Sequence, residues 1–147
     1  MKILVACEES QRVCIAFRER GHEAYSCDII MCSGDKPEWH IWADVEPLLN
    51  GGTFRTCDSK QHTIDKWDMI IAFPPCTYLS KAGSCNLYQS GKLNEERFAA
   101  GQQAAQFFRK IYNADCSRIC IENPVPMSVF GLPPHTQEVQ PFYFGVP

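Results

Sequence analysis

Three short apolar runs constrain this fold more than any other feature of the chain. They are Lys2 to Ala6 (KILVA), Trp67 to Phe73 (WDMIIAF) and Arg118 to Ile121 (RICI), and the last two run directly into proline-bearing loops. Nearly continuous apolar runs of this length lack the in-and-out alternation of a half-exposed strand. They suit inner strands of a parallel sheet, buried on both faces.

The segments between them fit the same architecture. Ser10 to Arg20 carries Val13, Cys14 and Phe17 on one helical face, with Ser10 as the expected N-cap and Gly21 as the stop. His22 to Asp28 and Trp39 to Val45 read as a second and a third strand, each reaching an acid at its end, Asp28 and Asp44. Residues 46–65 form an irregular excursion in which Asn50-Gly51-Gly52 signals a turn and Thr53 to Thr56 suggests a small hairpin. Asn94 to Asn113 is the longest predicted helix, capped by Asn94, with Glu95 and Glu96 at its positive end. Its apolar stripe is Phe98, Ala104, Ala105, Phe108, Ile111 and Tyr112. The aromatic run Phe142-Tyr143-Phe144 suggests one further strand. The expected class is α/β: one domain over 1–147, a Rossmann-like, mostly parallel sheet flanked by helices and shortened at the C-terminus.

Composition narrows the function classes. With 147 residues, 45% hydrophobic and 21% charged, the chain is globular and long enough to bury a core without staples. A net charge of −3 offers no general grip on duplex DNA, so any nucleic-acid role must rest on a local site. No apolar stretch is long enough to span a bilayer, and Glu8 and Glu9 end the first apolar run too early for a signal peptide, so a cytoplasmic location is expected. Nine cysteines, an odd number, then favour reduced thiols. Cys27/Cys32, Cys57/His62 and Cys116/Cys120 lack the paired spacing of zinc knuckles. Cys32, His40, Cys57 and His62 could be gathered only by folding, and no metal is expected. The four histidines show no partner pattern and are expected to be structural or exposed.

In a parallel sheet, ligands bind beyond the carboxyl ends of the strands. Four candidate ends carry chemistry: Cys7-Glu8-Glu9-Ser10, Asp28, Asp44 with Pro74-Pro75-Cys76 near it, and Glu122-Asn123. An acid after a second strand is where dinucleotide-binding folds hold ribose hydroxyls.

Pro74, Pro75, Cys76, Ser80 and Gly83, in PPCTYLSKAG, together with Glu122 and Asn123, in IENP, resemble the cytosine-C5 DNA methyltransferase family. The resemblance covers about residues 1 to 124 and is greatest to the short methyltransferase-like proteins of phages and prophages. It implies methyl transfer from S-adenosylmethionine to C5 of cytosine, in DNA or a cytosine nucleotide. Cys76 would be the nucleophile and Glu122 the acid on the base edge, with Pro74, Pro75, Ser80 and Asn123 shaping the base site. It also implies cofactor contacts from Cys7, Glu8, Ser10, Asp28 and Asp44. The chemistry needs this set: a thiolate adding to C6 activates C5, and a cysteine needs amides or a cation nearby, for which Lys81 is the nearest candidate.

Two departures define the alternative. The first loop, ACEESQ, has no glycine, and the stretch after Pro124 has no arginine and no target-recognition segment. A non-catalytic nucleotide-binding or protein-interaction module is the other reading. In either case a partner protein or a second copy is expected to supply what the chain lacks, with no membrane involved.

Overall fold

The structure is a computed structural model describing residues 1–145; Val146 and Pro147 lie outside the described residues. Strand β1, Lys2–Ala6, runs through the centre, with Ile3, Leu4, Val5 and Ala6 fully buried. Its partners on either side are β2 (Glu23–Asp28) and β6 (Met69–Ala72), both parallel to it. Beyond them lie β3 (His40–Trp42) and β9 (Ile119–Ile121), again parallel. The five parallel strands therefore take the order β3-β2-β1-β6-β9. This is the order in which a doubly wound nucleotide-binding sheet begins, with its topological switch point between β1 and β6.

Side-chain alternation along β1 separates two cores. Ile3 and Val5 pack with Ala24 and with Cys14 of α1 (Arg12–Glu19), and Leu4 and Ala6 pack on the opposite face with Ile70, Ala72 and Ile111 of α2 (Glu95–Tyr112). Each large aliphatic side chain buried this way is worth about 1.5–3 kcal/mol before entropy is counted. The second core is closed by the hairpin β4 (Gly52–Arg55) and β5 (Gln61–Ile64), which inserts Phe54 and Ile64 beside Trp67. Phe54 stacks on Trp67 with ring centroids 6.1 Å apart, and the Trp67 indole donates to the Leu48 carbonyl at 2.7 Å. Gly51 is required at the entry to the hairpin: its φ is +91°, and a Cβ there would press on the carbonyls of Ile64 and Asp65.

Several expectations change in detail. The third strand covers only His40–Trp42: the Ala43 N–H still donates to the Asp28 carbonyl at 3.0 Å, and the chain then turns at Asp44, which accepts the Glu46 N–H. Asn94 does cap α2, its side chain accepting from the Arg97 N–H at 3.0 Å. The buried face of α2 is Gly101, Ala105, Phe108 and Ile111, while Tyr112 points outward and is exposed. Ser10 is not the cap of α1: Gln11 holds that position with φ +59° and makes no side-chain capping bond. The aromatic run near the C-terminus forms a short 3-10 turn, Pro141–Phe144, in which Phe142, Tyr143 and Phe144 are exposed. Between β6 and α2 lie a 3-10 segment, Lys81–Asn86, and a two-residue-per-strand hairpin, β7 (Tyr88–Gln89) with β8 (Lys92–Leu93). Ser90 and Gly91, both at positive φ, make its turn.

Candidate functional site

The switch point places two loops side by side, one leaving β1 and one leaving β6. The Phe73 N–H donates to the Ala6 carbonyl at 3.0 Å, and the Cys7 N–H to the Cys27 carbonyl at 2.8 Å. Cys7 and Gln11 both adopt φ of +59°, the left-handed backbone that a glycine usually supplies. The turn lacking glycine thus follows a glycine-like path.

Glu8 is 5% exposed, and its carboxylate accepts the Val13 N–H at 2.5 Å and the Cys14 N–H at 3.2 Å. These are otherwise unpaired amides of the first turn of α1, so Glu8 does the capping expected of Ser10. Its carboxyl is raised above its ordinary range by burial, partly offset by these two amides, with the neighbouring Glu9 charge raising it further. As a cofactor contact Glu8 is corrected: its oxygens are already held inside the protein. Gln11, fully buried, bonds the Lys36 carbonyl through Nε2 at 2.8 Å and accepts the Lys36 N–H at 3.2 Å, pinning the loop after β2 against the β1 loop. Ser10 is half-buried beside it.

Asp28 and Asp44 come close enough to Cys7 to act on it. Burial pushes the Cys7 thiol up to about 12, and the Asp28 and Asp44 charges add to that. Each acid also shapes its own turn, Asp28 accepting the Ile30 N–H and Asp44 the Glu46 N–H, both at 3.0 Å. Ile29, Ile30, Met31 and Trp42 are exposed beside Asp28, an apolar apron that the strand and turn pattern did not signal.

Cys76 and Glu122 follow neighbouring strands. Ala72 and Ile121 are register partners; Glu122 comes one residue after Ile121, and its N–H donates to the Ala72 carbonyl at 2.9 Å. The Cys76 carbonyl accepts the N–H groups of Leu79 and Ser80, both at 3.0 Å, closing a tight turn after Pro74 and Pro75. An antiparallel bridge between Ser80 and Pro126 joins this loop to the one carrying Glu122 and Asn123. It is reinforced by Lys81 N–H to Val125 carbonyl at 2.8 Å and Met127 N–H to Leu79 carbonyl at 2.7 Å. Cys76 is half-buried and Glu122 exposed, so both are open to solvent. Asn123 donates to the Pro124 carbonyl at 2.5 Å and keeps its buried Oδ1 without a partner.

The cation on the Cys76 loop is Arg97, which the sequence reading missed. It donates to the Thr77 carbonyl at 2.9 Å and lies over the Tyr78 ring at 5.0 Å. Lys81, the expected cation, is exposed. Nothing in the order of residues links Arg97 to Thr77, twenty positions earlier; only the return of α2 toward the β6 end brings them together. A hollow of about 310 Å³ lies on this side, lined by Tyr78, Asn86, Gln89, Asn94 and Arg97, and neither Cys76 nor Glu122 lines it. The Cys76 and Glu122 loops meet at the Ser80–Pro126 bridge.

Among the described residues no helix is long and apolar enough to cross a membrane. The sequence matches no protein-family model and no curated protein, and no solved structure matches the chain.

Proposed function

We propose that this chain is a Rossmann-like, methyltransferase-type protein acting on a cytosine base, with Cys76 as nucleophile and Glu122 as its acid partner. The observation that carries the reading is the backbone tie between their loops at the carboxyl ends of adjacent parallel strands. In the reaction, the Cys76 sulfur forms a bond to C6 of the ring while Glu122 stabilises the proton at the N3 edge. S-adenosylmethionine, when bound, supplies an electrophilic methyl group. Cys76 would leave again at the end: with C5 methylated and its proton lost to solvent, the C6–S bond would break and return the Cys76 thiolate. A base within duplex DNA must first leave the stack.

The residues present fit the adenosine end of that cofactor. Asp28 offers a carboxylate to ribose hydroxyls, and the exposed Ile29 offers an apolar face to a purine. At the methionyl end, Glu9 is the carboxylate left for an ammonium group, since Glu8 is held by α1. That commitment of Glu8 favours the second reading, a nucleotide-binding module without turnover. Target recognition falls to a partner protein or a second copy, for which the outer edge of β9, unpaired among the described residues, offers a strand.

Transfer of labelled methyl groups from S-adenosylmethionine to cytosine-containing DNA, RNA and free nucleotide tests the reading. Wild-type protein is expected to methylate one of them and to form a covalent adduct with its 5-fluorocytosine analogue, while Cys76→Ser forms none. Glu122→Gln should slow transfer by about 10²–10⁴-fold. Equal trapping by wild type and Cys76→Ser rejects the assignment; saturable nucleotide binding without transfer leaves the module reading.

A further inference from the structure

Cys32, His40 and Cys57 come from three separate segments: the loop after β2, the first residue of β3, and the tip of the β4–β5 hairpin. Their ligand atoms all lie within 4.8 Å of one another. His40 is fully buried and the two cysteines are half-buried, so the cluster lies at the protein surface with its imidazole inside. We propose that these three side chains form a zinc site that fastens the hairpin and the loop after β2 to the edge of the sheet.

The surroundings of His40 prepare it as a ligand. Ser26 Oγ lies 2.8 Å from His40 Nδ1 and donates its own hydrogen to the Trp39 carbonyl at 3.4 Å. With Ser26 donating to Trp39, its Oγ can accept from Nδ1–H, and this is the tautomer that frees Nε2 to bind a metal. Nε2 lies 3.1 Å from the Ile30 carbonyl, two residues before Cys32, and so faces the loop that brings in the first thiol. Without metal, the other tautomer satisfies the same atoms, with Nε2–H donating to Ile30. In that empty state the Ser26 hydrogen turns to Nδ1, so loading the site moves one proton from Nε2 to Nδ1 and returns the Ser26 hydrogen to the Trp39 carbonyl.

The second thiol is placed by backbone. The Cys57 N–H donates to the His40 carbonyl at 2.9 Å, locking the hairpin tip against β3, and the Cys57 sulfur lies within 4.8 Å of the Cys32 sulfur. His62, the fourth residue that composition allowed, is engaged elsewhere: Nδ1 with the Tyr25 hydroxyl at 3.1 Å and Nε2 with Thr56 Oγ1 at 3.2 Å. The protein thus supplies two sulfurs and one nitrogen, and the fourth tetrahedral position falls to water. Two thiolates with an imidazole select zinc over the hard cations magnesium and calcium. The need for a fastening is plain from the strands: β3 has three residues and pairs only with β2 in the sheet.

The test uses the full chain, purified under reductant, loaded with zinc and freed of excess. About one zinc per chain is expected in the wild type, falling at least ~10-fold in Cys32→Ser and Cys57→Ser and unchanged in Cys85→Ser and Cys120→Ser. A chelator should lower the melting temperature of the wild type and leave Cys57→Ser unmoved. Cobalt(II) added to the wild type reads the site without any variant: sulfur-to-cobalt charge transfer and intense tetrahedral visible bands support it. Absence of both zinc and the cobalt bands overturns the proposal, as does equal zinc in the serine variants. A Cys32–Cys57 disulfide surviving in reductant would also overturn it, making the pair a redox bond. None of these readouts depends on methyl transfer.

Discussion

The two loops that flank the switch point solve opposite problems with similar residues. After β1, the polar groups turn inward: Glu8 caps α1, Gln11 pins the loop after β2, and the Cys7 thiol is held in its neutral form by burial. After β6, support arrives from outside, from Arg97 on Thr77 and from the 125–127 segment, and Cys76 stays accessible. One loop is built of its own side chains and has little chemistry left to offer. The other is held by its backbone, which frees its side chains to react.

Alkali should break this contrast most severely. Cys7, Cys14 and Cys27 are each pushed from an ordinary 9.0 up to about 12, with burial as the largest cause in every case. A thiol that ionises later when folded than when unfolded adds stability that is complete below pH 9 and is lost as pH rises toward 12. The β1 side of the sheet should therefore lose several kcal/mol across that range. Urea midpoints taken at successive pH values should fall less steeply for Cys14→Ala than for the wild type. Cys120→Ala, at an exposed site, should follow the wild-type slope; identical slopes for all three would remove the sealed-thiol account.

Carboxylate truncations sharpen the comparison. Glu8→Ala leaves two amides of α1 unpaired in the interior and is expected to cost about 3 kcal/mol in urea unfolding. Glu122→Ala, at an exposed position, should change stability by less than about 0.5 kcal/mol while abolishing the methyl transfer proposed for this loop. A stability loss at Glu122 as large as that at Glu8 would mean the two loops are built alike.

On the β6 side the weight is carried by packing beneath the loop. Gly101 of α2 lies against the Phe130 ring, where a Cβ would collide, and Phe130 stacks on Phe98 at 5.8 Å. Gly101→Ala is expected to cost about 1–3 kcal/mol through overpacking, and Phe130→Leu in the same chain should recover part of it. A neutral Gly101→Ala would show that this layer yields.

The parts of the fold legible in the sequence are those in which one physical demand acts alone. Burial on both faces leaves an unbroken apolar run, so β1 stood out; the runs at β6 and β9 marked strands but not their burial, since β6 is buried only at alternate residues and β9, expected inside the sheet, is its edge strand with Cys120 exposed. Helical periodicity with an Asn94 cap marked α2, and Asn50-Gly51-Gly52 marked the hairpin because the close approach there excludes a side chain. The Cys76 and Glu122 loops were legible through paired motifs at strand ends. What stayed hidden depends on meetings between distant segments. Glu8 looks the same in a sequence whether it caps a helix or awaits a ligand, and Arg97 and the Cys32, His40, Cys57 cluster exist only once the chain has closed. The aromatic run 142–144 looks like a strand by composition, yet it winds into a 3-10 turn with its three rings exposed.

The smallest effect concerns how firmly Arg97 holds the Cys76 loop. Its bond to Thr77 and its position over Tyr78 are partly exposed, so Arg97→Ala should cost only about 1 kcal/mol in global stability. The loop should feel it more than the fold does. Releasing the Thr77 carbonyl loosens the turn that Cys76 begins, so alkylation of Cys76 and hydrogen exchange at Leu79 and Ser80 should both quicken, while exchange in β1 stays unchanged. Arg97→Lys keeps the charge but cannot present a planar fork to the carbonyl and the ring together, and it should fall between wild type and Arg97→Ala. If Cys76 reacts equally fast in all three proteins, the loop is held by the Ser80–Pro126 bridge alone, and Arg97 belongs to the neighbouring hollow rather than to the Cys76 loop.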